Sequence, residues 1–254
     1  MPAGLQATLS VLSWNVFNEN PDAGRISSCL EAHDADVVLL QEATPEHLAA
    51  VKTRYAHIAT AIDYLFKGEA CHLAIASRAP LRDVRVIEHF PPSKRAPTWF
   101  GRMMGWTEFL ESVSAEIEIA PGRRLRLICA HTSAAASPSV RMGEVEAVGA
   151  HIPAEGPCLF AADFNCFARP ANALGLALPL GYRWRDFKIH ERKALDRWFA
   201  ERGFAAAVRG VTFPRFRAQM DQVYLRGAAV RQATIIQDRF GSDHRPIRLE
   251  LAAT

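Results

Sequence analysis

The sequence predicts an α/β protein in which two mixed β-sheets pack as a sandwich. Short apolar runs bounded by turn residues or charges recur along the whole chain, as buried strands do. Helical patterns with recognisable caps lie between several of them. The alternation is not strict, because residues 73–130 read as consecutive strands. That order favours mixed sheets over a doubly wound parallel sheet.

Strands are expected at residues 9–14, 37–41, 73–77, 113–119, 125–130, 157–162, 222–225 and 247–251. A helix over 22–32 carries Ile26 and Leu30 on one face, with Asp22 as its cap. The next, over 45–52, has Thr44 as N-cap and Pro45 at the first helical position, where the missing N–H costs nothing. Residues 139–152 and 191–202 complete the helices, the latter with Leu195, Trp198 and Phe199 on one face. No repeat, low-complexity tract or linker divides the 254 residues, so a single domain over 1–254 is expected.

Composition excludes several classes. Hydrophobic residues make up 49% and charged residues 22%, as in globular proteins with a sizeable core. No apolar stretch approaches the roughly 20 residues of a spanning helix; the longest, 171–180, is broken by Gly175 and Pro179. The N-terminus lacks the basic head and apolar core of a signal peptide, so a cytoplasmic enzyme is expected. Cys29, Cys71, Cys129, Cys158 and Cys166 are odd in number and without CxxC spacing, which points to buried free thiols.

The net charge of +3 is mild, but its distribution is uneven. Residues 93–106, SKRAPTWFGRMMGW, hold Lys94, Arg95, Trp99 and Arg102 and no acid; residues 210–217, GVTFPRFR, hold Arg215 and Arg217. Singly, each reads as an ordinary surface loop. Flanking one cleft, they would form a positive rim with stacking side chains for a phosphate-bearing substrate.

Polar residues fall at the ends of the predicted strands. Asn15 follows Leu-Ser-Trp, Glu42 follows Val-Leu-Leu-Gln, and His131 follows Leu-Ile-Cys-Ala. Asp163 and Asn165 close the Leu-Phe-Ala-Ala run, and Asp243 and His244 precede the last strand. Any one of them would read as a cap or turn former. Together they are types that bind hard cations and move protons, held on rigid elements. Carboxylate and amide oxygens suit Mg²⁺ or Mn²⁺, histidines suit proton transfer, and no Cys/His cluster at zinc spacing is present.

This ordered set resembles the endonuclease/exonuclease/phosphatase superfamily: Trp14-Asn15, LLQE ending at Glu42, His131, the ADFN of Asp163 and Asn165, and Ser242-Asp243-His244. AIASRAPL (74–81) and QMDQVY (219–224) resemble two further motifs of that group. The resemblance implies a four-layer, DNase I-like fold with helices on the outer faces, and divalent-metal-dependent hydrolysis of phosphate esters. Glu42 would be the principal metal ligand, with Asn15 and Asp243 as ligands or neighbours of the metal. Asp163 and Asn165 would position and activate the attacking water, Asp221 would orient His244, and His131 would stabilise the phosphate or assist the leaving group. Asp163 and the Asp221–His244 pair both stand as the general base, and one metal or two are both open. Phe17 replaces a carboxylate found in many DNA-repair members, Cys129-Ala130 precedes His131 in place of Asn-Thr, and Gln219-Met220 replaces Arg-Ile.

The two basic-aromatic loops make a nuclease or DNA/RNA phosphodiesterase the first expectation. A phosphodiesterase or phosphatase on lipid or small-molecule phosphates is the alternative, and an inactive binding module the third. His33, His47, His57, His72, His89, His151 and His190 read as surface or packing residues, Arg78 as structural, Glu69 as a solvated loop carboxylate, and Cys166 as pointing into the core. The Trp184-Arg185 segment reads equally as a substrate loop or as packing on the 191–202 helix.

Overall fold

The computed structural model describes residues 8–89, 103, 105–108, 111–134, 136–166 and 182–252. Among the described residues, thirteen strands form two mixed sheets. The seven-stranded sheet contains β1 (Thr8–Asn15), β2 (Val37–Ala43), β3 (His57–Phe66), β4 (Glu69–Ser77), β6 (Trp106–Glu108), β12 (Val230–Ile235) and β13 (Ile247–Ala252), in the order β12-β13-β1-β2-β4-β3-β6. The six-stranded sheet contains β5 (Arg82–Glu88), β7 (Glu111–Ala120), β8 (Arg123–His131), β9 (Cys158–Asp163), β10 (Ala205–Ala206) and β11 (Asp221–Arg226), in the order β10-β11-β9-β8-β7-β5. Among the described residues each sheet has one parallel pair, β1/β2 and β8/β9; the other pairings are antiparallel.

Strand alternation explains why these runs are apolar on both faces. Val11, Val37, Leu39, Leu73, Ile75, Leu127, Cys129, Leu159 and Ala161 fill the space between the sheets. Their neighbours Leu12, Val38, Leu40, Ala74 and Ala76 turn outward against helix α1 (Ala23–His33) and helix α2 (Pro45–Lys52). On the opposite side Ile128, Ala130, Phe160 and Ala162 meet α3 (Pro138–Gly149) and α4 (Glu191–Ala200), where Phe199 stacks on Tyr224 at 3.8 Å. Helix, sheet, sheet and helix make the four expected layers. All five cysteines are free and buried, Cys166 among the α4 contacts.

The predicted strands and helices are present, with ends shifted by a residue or a few. Strands β3, β5, β6, β10 and β12 are additions that the apolar pattern did not mark. Both β5 and β12 are charged or exposed edge strands, and polar edges are how sheets avoid pairing with other chains.

His47 braces α2. Thr44 Oγ1 accepts from the His47 N–H at 3.3 Å, and His47 Nδ1 accepts from the Thr44 N–H at 3.3 Å. Its Nε2 faces the Asn20 carbonyl at 3.0 Å, so the neutral Nε2–H tautomer satisfies both. Burial holds its pKa below the ordinary 6.5, against the opposing pull of the Asn20 carbonyl. The unfolded chain therefore binds more protons between the two pKa values. This contribution to stability is complete above 6.5 and is lost as pH falls toward the folded value. His47→Gln keeps a capping acceptor and should flatten the fall in denaturant stability between about pH 7 and 5. It should cost about 1 kcal/mol or less at neutral pH; an acid limb as steep as the wild type's would refute the assignment.

Candidate active site

The parallel pairs place four strand ends at one rim. Strands β1, β2, β8 and β9 bring Asn15, Glu42, His131 and Asp163 there. Asp163 is in register with His131 on one side and with Asp221, at the start of β11, on the other. The segment before β13 is welded to the end of β1. Ser242 Oγ donates to the Asn15 carbonyl at 2.7 Å and accepts from the His244 N–H at 2.9 Å. All eight predicted catalytic and metal-binding residues stand at this rim or beside it.

Asn15 bridges two carboxylates. Its Nδ2 donates to Glu42 Oε1 at 2.8 Å and to Asp163 Oδ2 at 2.9 Å, while its Oδ1 accepts from the Phe17 N–H at 2.9 Å. That last bond fixes the amide orientation, so Asn15 presents nitrogen to the carboxylates and not an oxygen. Glu42 Oε2 also receives the Tyr64 hydroxyl at 2.9 Å and the Asn18 N–H at 3.3 Å. Asn165, in a left-handed conformation at φ 46°, donates its N–H to Asp163 Oδ1 and its Nδ2 to the Thr132 carbonyl, each at 2.8 Å.

Two histidines, each backed by a buried carboxylate, face Asp163 from opposite sides. His244 Nδ1 lies 2.7 Å from Asp221 Oδ2, and its Nε2 lies 3.6 Å from Asp163 Oδ2 and 3.8 Å from Asp243 Oδ1. His131 Nδ1 lies 2.8 Å from Asp63 Oδ2, and its Nε2 lies 3.8 Å from Asp163 Oδ2 and 3.9 Å from Glu42 Oε1. Burial opposes charge on His244, but Asp221, Asp163 and Asp243 outweigh it and push its pKa up to about 10. Asp163 shows the reverse balance. Burial would raise it, yet His244, His131, the Asn165 N–H and the Asn15 amide hold it below the usual carboxylate range.

His131 is under two competing influences. Against burial, Asp63, Asp163 and Glu42 draw its pKa well above the ordinary value. The Asn165 amide nitrogen, oriented by the Thr132 carbonyl, points at Nε2 from 2.9 Å, which requires a lone pair there. The hydrogen-bond geometry is the narrower constraint. It gives an Nδ1–H tautomer whose Nε2 is a strongly basic acceptor.

Glu42, His131 and Asp163 offer ligand atoms within 4.8 Å of one another. Asp243 Oδ1 is buried without a hydrogen-bond partner. Burial pushes the Asp243 carboxyl up to about 6, helped by the charges of Glu42 and Asp163 and opposed by His244. Glu42, Asp163 and Asp243 outnumber the one protonated imidazole beside them, His244, and leave an oxygen orphaned, and oxygen donors suit a hard cation. The residues fit Mg²⁺ or Mn²⁺. Asp163, Asp221 and His244 form a second close group, but there the carboxylate–imidazole contact already matches charge to charge.

Beside this centre, the Phe213 ring lies 4.7 Å from His244, and Phe216 lies 5.4 Å beyond it. Phe216, Arg215 and Arg217 are exposed at the 3-10 turn Pro214–Phe216. Lys94, Arg95, Trp99 and Arg102 lie outside the described residues. Trp184 is 82% exposed, its ring 6.2 Å from Phe187. Glu69 is exposed at the start of β4; the carboxylate on His131 is Asp63. Asp63 and Tyr64 are the site residues that the strand-end pattern missed. The one available signal was an acid near the end of HIATAIDYLF, whose only other polar residues are His57 and Thr60.

The same fold occurs in solved structures. An endonuclease/exonuclease/phosphatase from Beutenbergia cavernae DSM 12333 superposes with a TM-score of 0.74 at 18% identity, over 96% of this chain and 71% of that one. TDP2 of D. rerio, solved with a single-strand DNA product, gives 0.61 at 16%, over 96% and 99%. ANGEL2, a 2',3'-cyclic phosphatase solved with adenosine-2',3'-vanadate, gives 0.65 at 13%, over 96% and 95%. By sequence, no curated protein is similar enough to match. The model of the Endonuclease/Exonuclease/phosphatase family, however, matches residues 12–244. That stretch runs from the first strand to His244 itself and encloses every strand-end residue of the site, so the chain belongs to this family of divalent-metal-dependent phosphoesterases.

Proposed function

We propose that this protein is a single-domain, cytoplasmic, Mg²⁺- or Mn²⁺-dependent phosphodiesterase acting on nucleic acid. One observation carries the reading of the chemistry: Asp163, its pKa held below the usual carboxylate range by its neighbours, sits between two histidines whose Nε2 atoms lie 3.6 and 3.8 Å from the same oxygen. A reacting phosphate placed there would meet a carboxylate base, the protonated His244 and the basic Nε2 of His131 at once.

Glu42 and Asp243 hold the cation, with Asn15 fixing Glu42 and Asp163 relative to one another. When bound, the cation supplies charge stabilisation at a phosphoryl oxygen. Asp163 orients the attacking water and takes its proton, because its neighbours keep it ionised. His244, with a pKa of about 10, carries its proton through the neutral range and donates to a non-bridging oxygen. That choice favours Asp163 over the Asp221–His244 pair as the general base. His131, turned by Asp63, lies on the opposite side with a basic Nε2 that already accepts from the Asn165 amide, so it serves the phosphate or the departing oxygen only after taking up a proton there.

Nucleic acid is favoured by the exposed Arg215, Phe216 and Arg217 beyond Phe213, and by the DNA product and adenosine ligand of TDP2 and ANGEL2. Cations for the backbone and a ring for a base are what a single strand requires. The protein should be assayed on plasmid DNA, single-stranded DNA, RNA, sphingomyelin and bis-p-nitrophenyl phosphate. Activity should disappear with EDTA and return with Mg²⁺ or Mn²⁺. Log-affinity for single strands should fall linearly with log salt, and Arg215→Ala with Arg217→Ala should flatten the slope by about 0.7 per lost contact. Full activity in metal-free buffer defeats the chemistry. Turnover of sphingomyelin without DNA or RNA binding defeats the substrate class alone.

A further inference from the structure

Two β-bulges lie on either side of the same point in β4. On β2 the register shifts between Leu40, opposite Ala74, and Ala43, opposite His72. On β3 it shifts between Ile62, opposite His72, and Tyr64, opposite Cys71. A regular strand sends consecutive side chains to opposite faces, and a bulge re-aims them. Glu42 lies within the first bulge at φ 57°. Asp63 lies within the second, and it and its neighbour Tyr64 both reach the site, one at His131 and the other at Glu42.

We propose that Tyr64 is a positioning residue for the cation-binding carboxylate of Glu42, delivered to it by the β3 bulge. The inference rests on the assignment of Glu42 as a cation ligand and deepens it. Glu42 is only partly buried, and an unrestrained glutamate would lose rotamer freedom on binding an ion. Here Asn15 holds Oε1, while the Tyr64 hydroxyl and the Asn18 N–H hold Oε2. Tyr64, like Asn15, is an anchored member of this set. It is 9% exposed, and its ring packs edge-on against His131 at 6.3 Å and Trp106 at 6.4 Å. Hydrogen-bond partners of metal ligands tune affinity through orientation, and this one also places the Glu42 support beside the His131 ring.

The test is Mn²⁺ binding by calorimetry to the full chain without substrate, with the Mn²⁺ activation constant measured in parallel. Tyr64→Phe removes one oxygen and keeps the ring. It should weaken Mn²⁺ binding by about 10- to 100-fold and raise the activation constant by the same factor, while kcat at saturating Mn²⁺ stays close to wild type. A purely structural tyrosine would lower kcat and the melting temperature and leave the dissociation constant in place. In a Glu42→Gln background the further change Tyr64→Phe should add no loss of binding, because the bond it removes acts through Glu42. Wild-type Mn²⁺ affinity in Tyr64→Phe, or an additive loss in the double variant, overturns the proposal. A wild-type protein that binds no Mn²⁺ would overturn the assignment of Glu42 itself, a different and separately visible result.

Discussion

Asp163→Asn should leave a folded protein whose kcat is lower by about 10²–10⁴-fold, the range for loss of a positioned acid or base. The substitution is isosteric, at a fully enclosed position in register with His131 and Asp221. It retains an oxygen for the Asn165 N–H and removes the charge that faces both imidazoles. An amide cannot take a proton from water. Since Asp163 touches the water and not the substrate's flanks, kcat and kcat/KM should fall together with KM nearly unchanged. Mn²⁺ calorimetry separates this effect from loss of the cation, which Glu42 and Asp243 should still bind. A folded Asp163→Asn protein with wild-type kcat would return the base assignment to the Asp221–His244 pair.

The part of the site legible in the sequence is the part where an apolar run stops at a polar residue, even where, as at Glu42, the stop lies in a bulge. Asn15, Glu42, His131 and Asp163 each close an apolar run, and a run that stops at a polar residue is visible without coordinates. The α2 helix was legible for a local reason, since Thr44, Pro45 and the turn they begin are contiguous. Strand β3 was not. Asp63 breaks its apolar pattern, and the bulge breaks the alternation from which a strand is read. The missed carboxylate follows directly, because Asp63 pairs with a histidine 68 positions away and no local pattern encodes that pairing. The role of Asn15 was legible only as a type. That its nitrogen faces Glu42 and Asp163 depends on where the Phe17 N–H points, which is a property of the backbone after β1.

His244→Ala should cost kcat about 10²–10⁴-fold as well, but with a different accompaniment. Asp221, Asp163 and Asp243 all surround the imidazole. Removing it leaves these carboxylates without their shared cation, so the loss of charge stabilisation reaches the ground state too. Asp221 is buried and already pushed above its usual range by that burial, against the pull of His244. Without its partner it should rise further and take up a proton on folding. A carboxyl whose folded pKa lies above its unfolded value destabilises the native state as pH rises past the unfolded value. The variant should therefore lose stability between about pH 4 and neutrality, where the wild-type pair is matched. Asp221→Asn keeps the imidazole and a hydrogen-bond acceptor for Nδ1, and should cost less in kcat. It should also lower the pKa of His244 from its value of about 10, visible by NMR of the ring protons. Should His244→Ala fold and turn over substrate like the wild type, the reacting phosphate does not lie between the two histidines, and the centre must be sought on the Glu42 side alone.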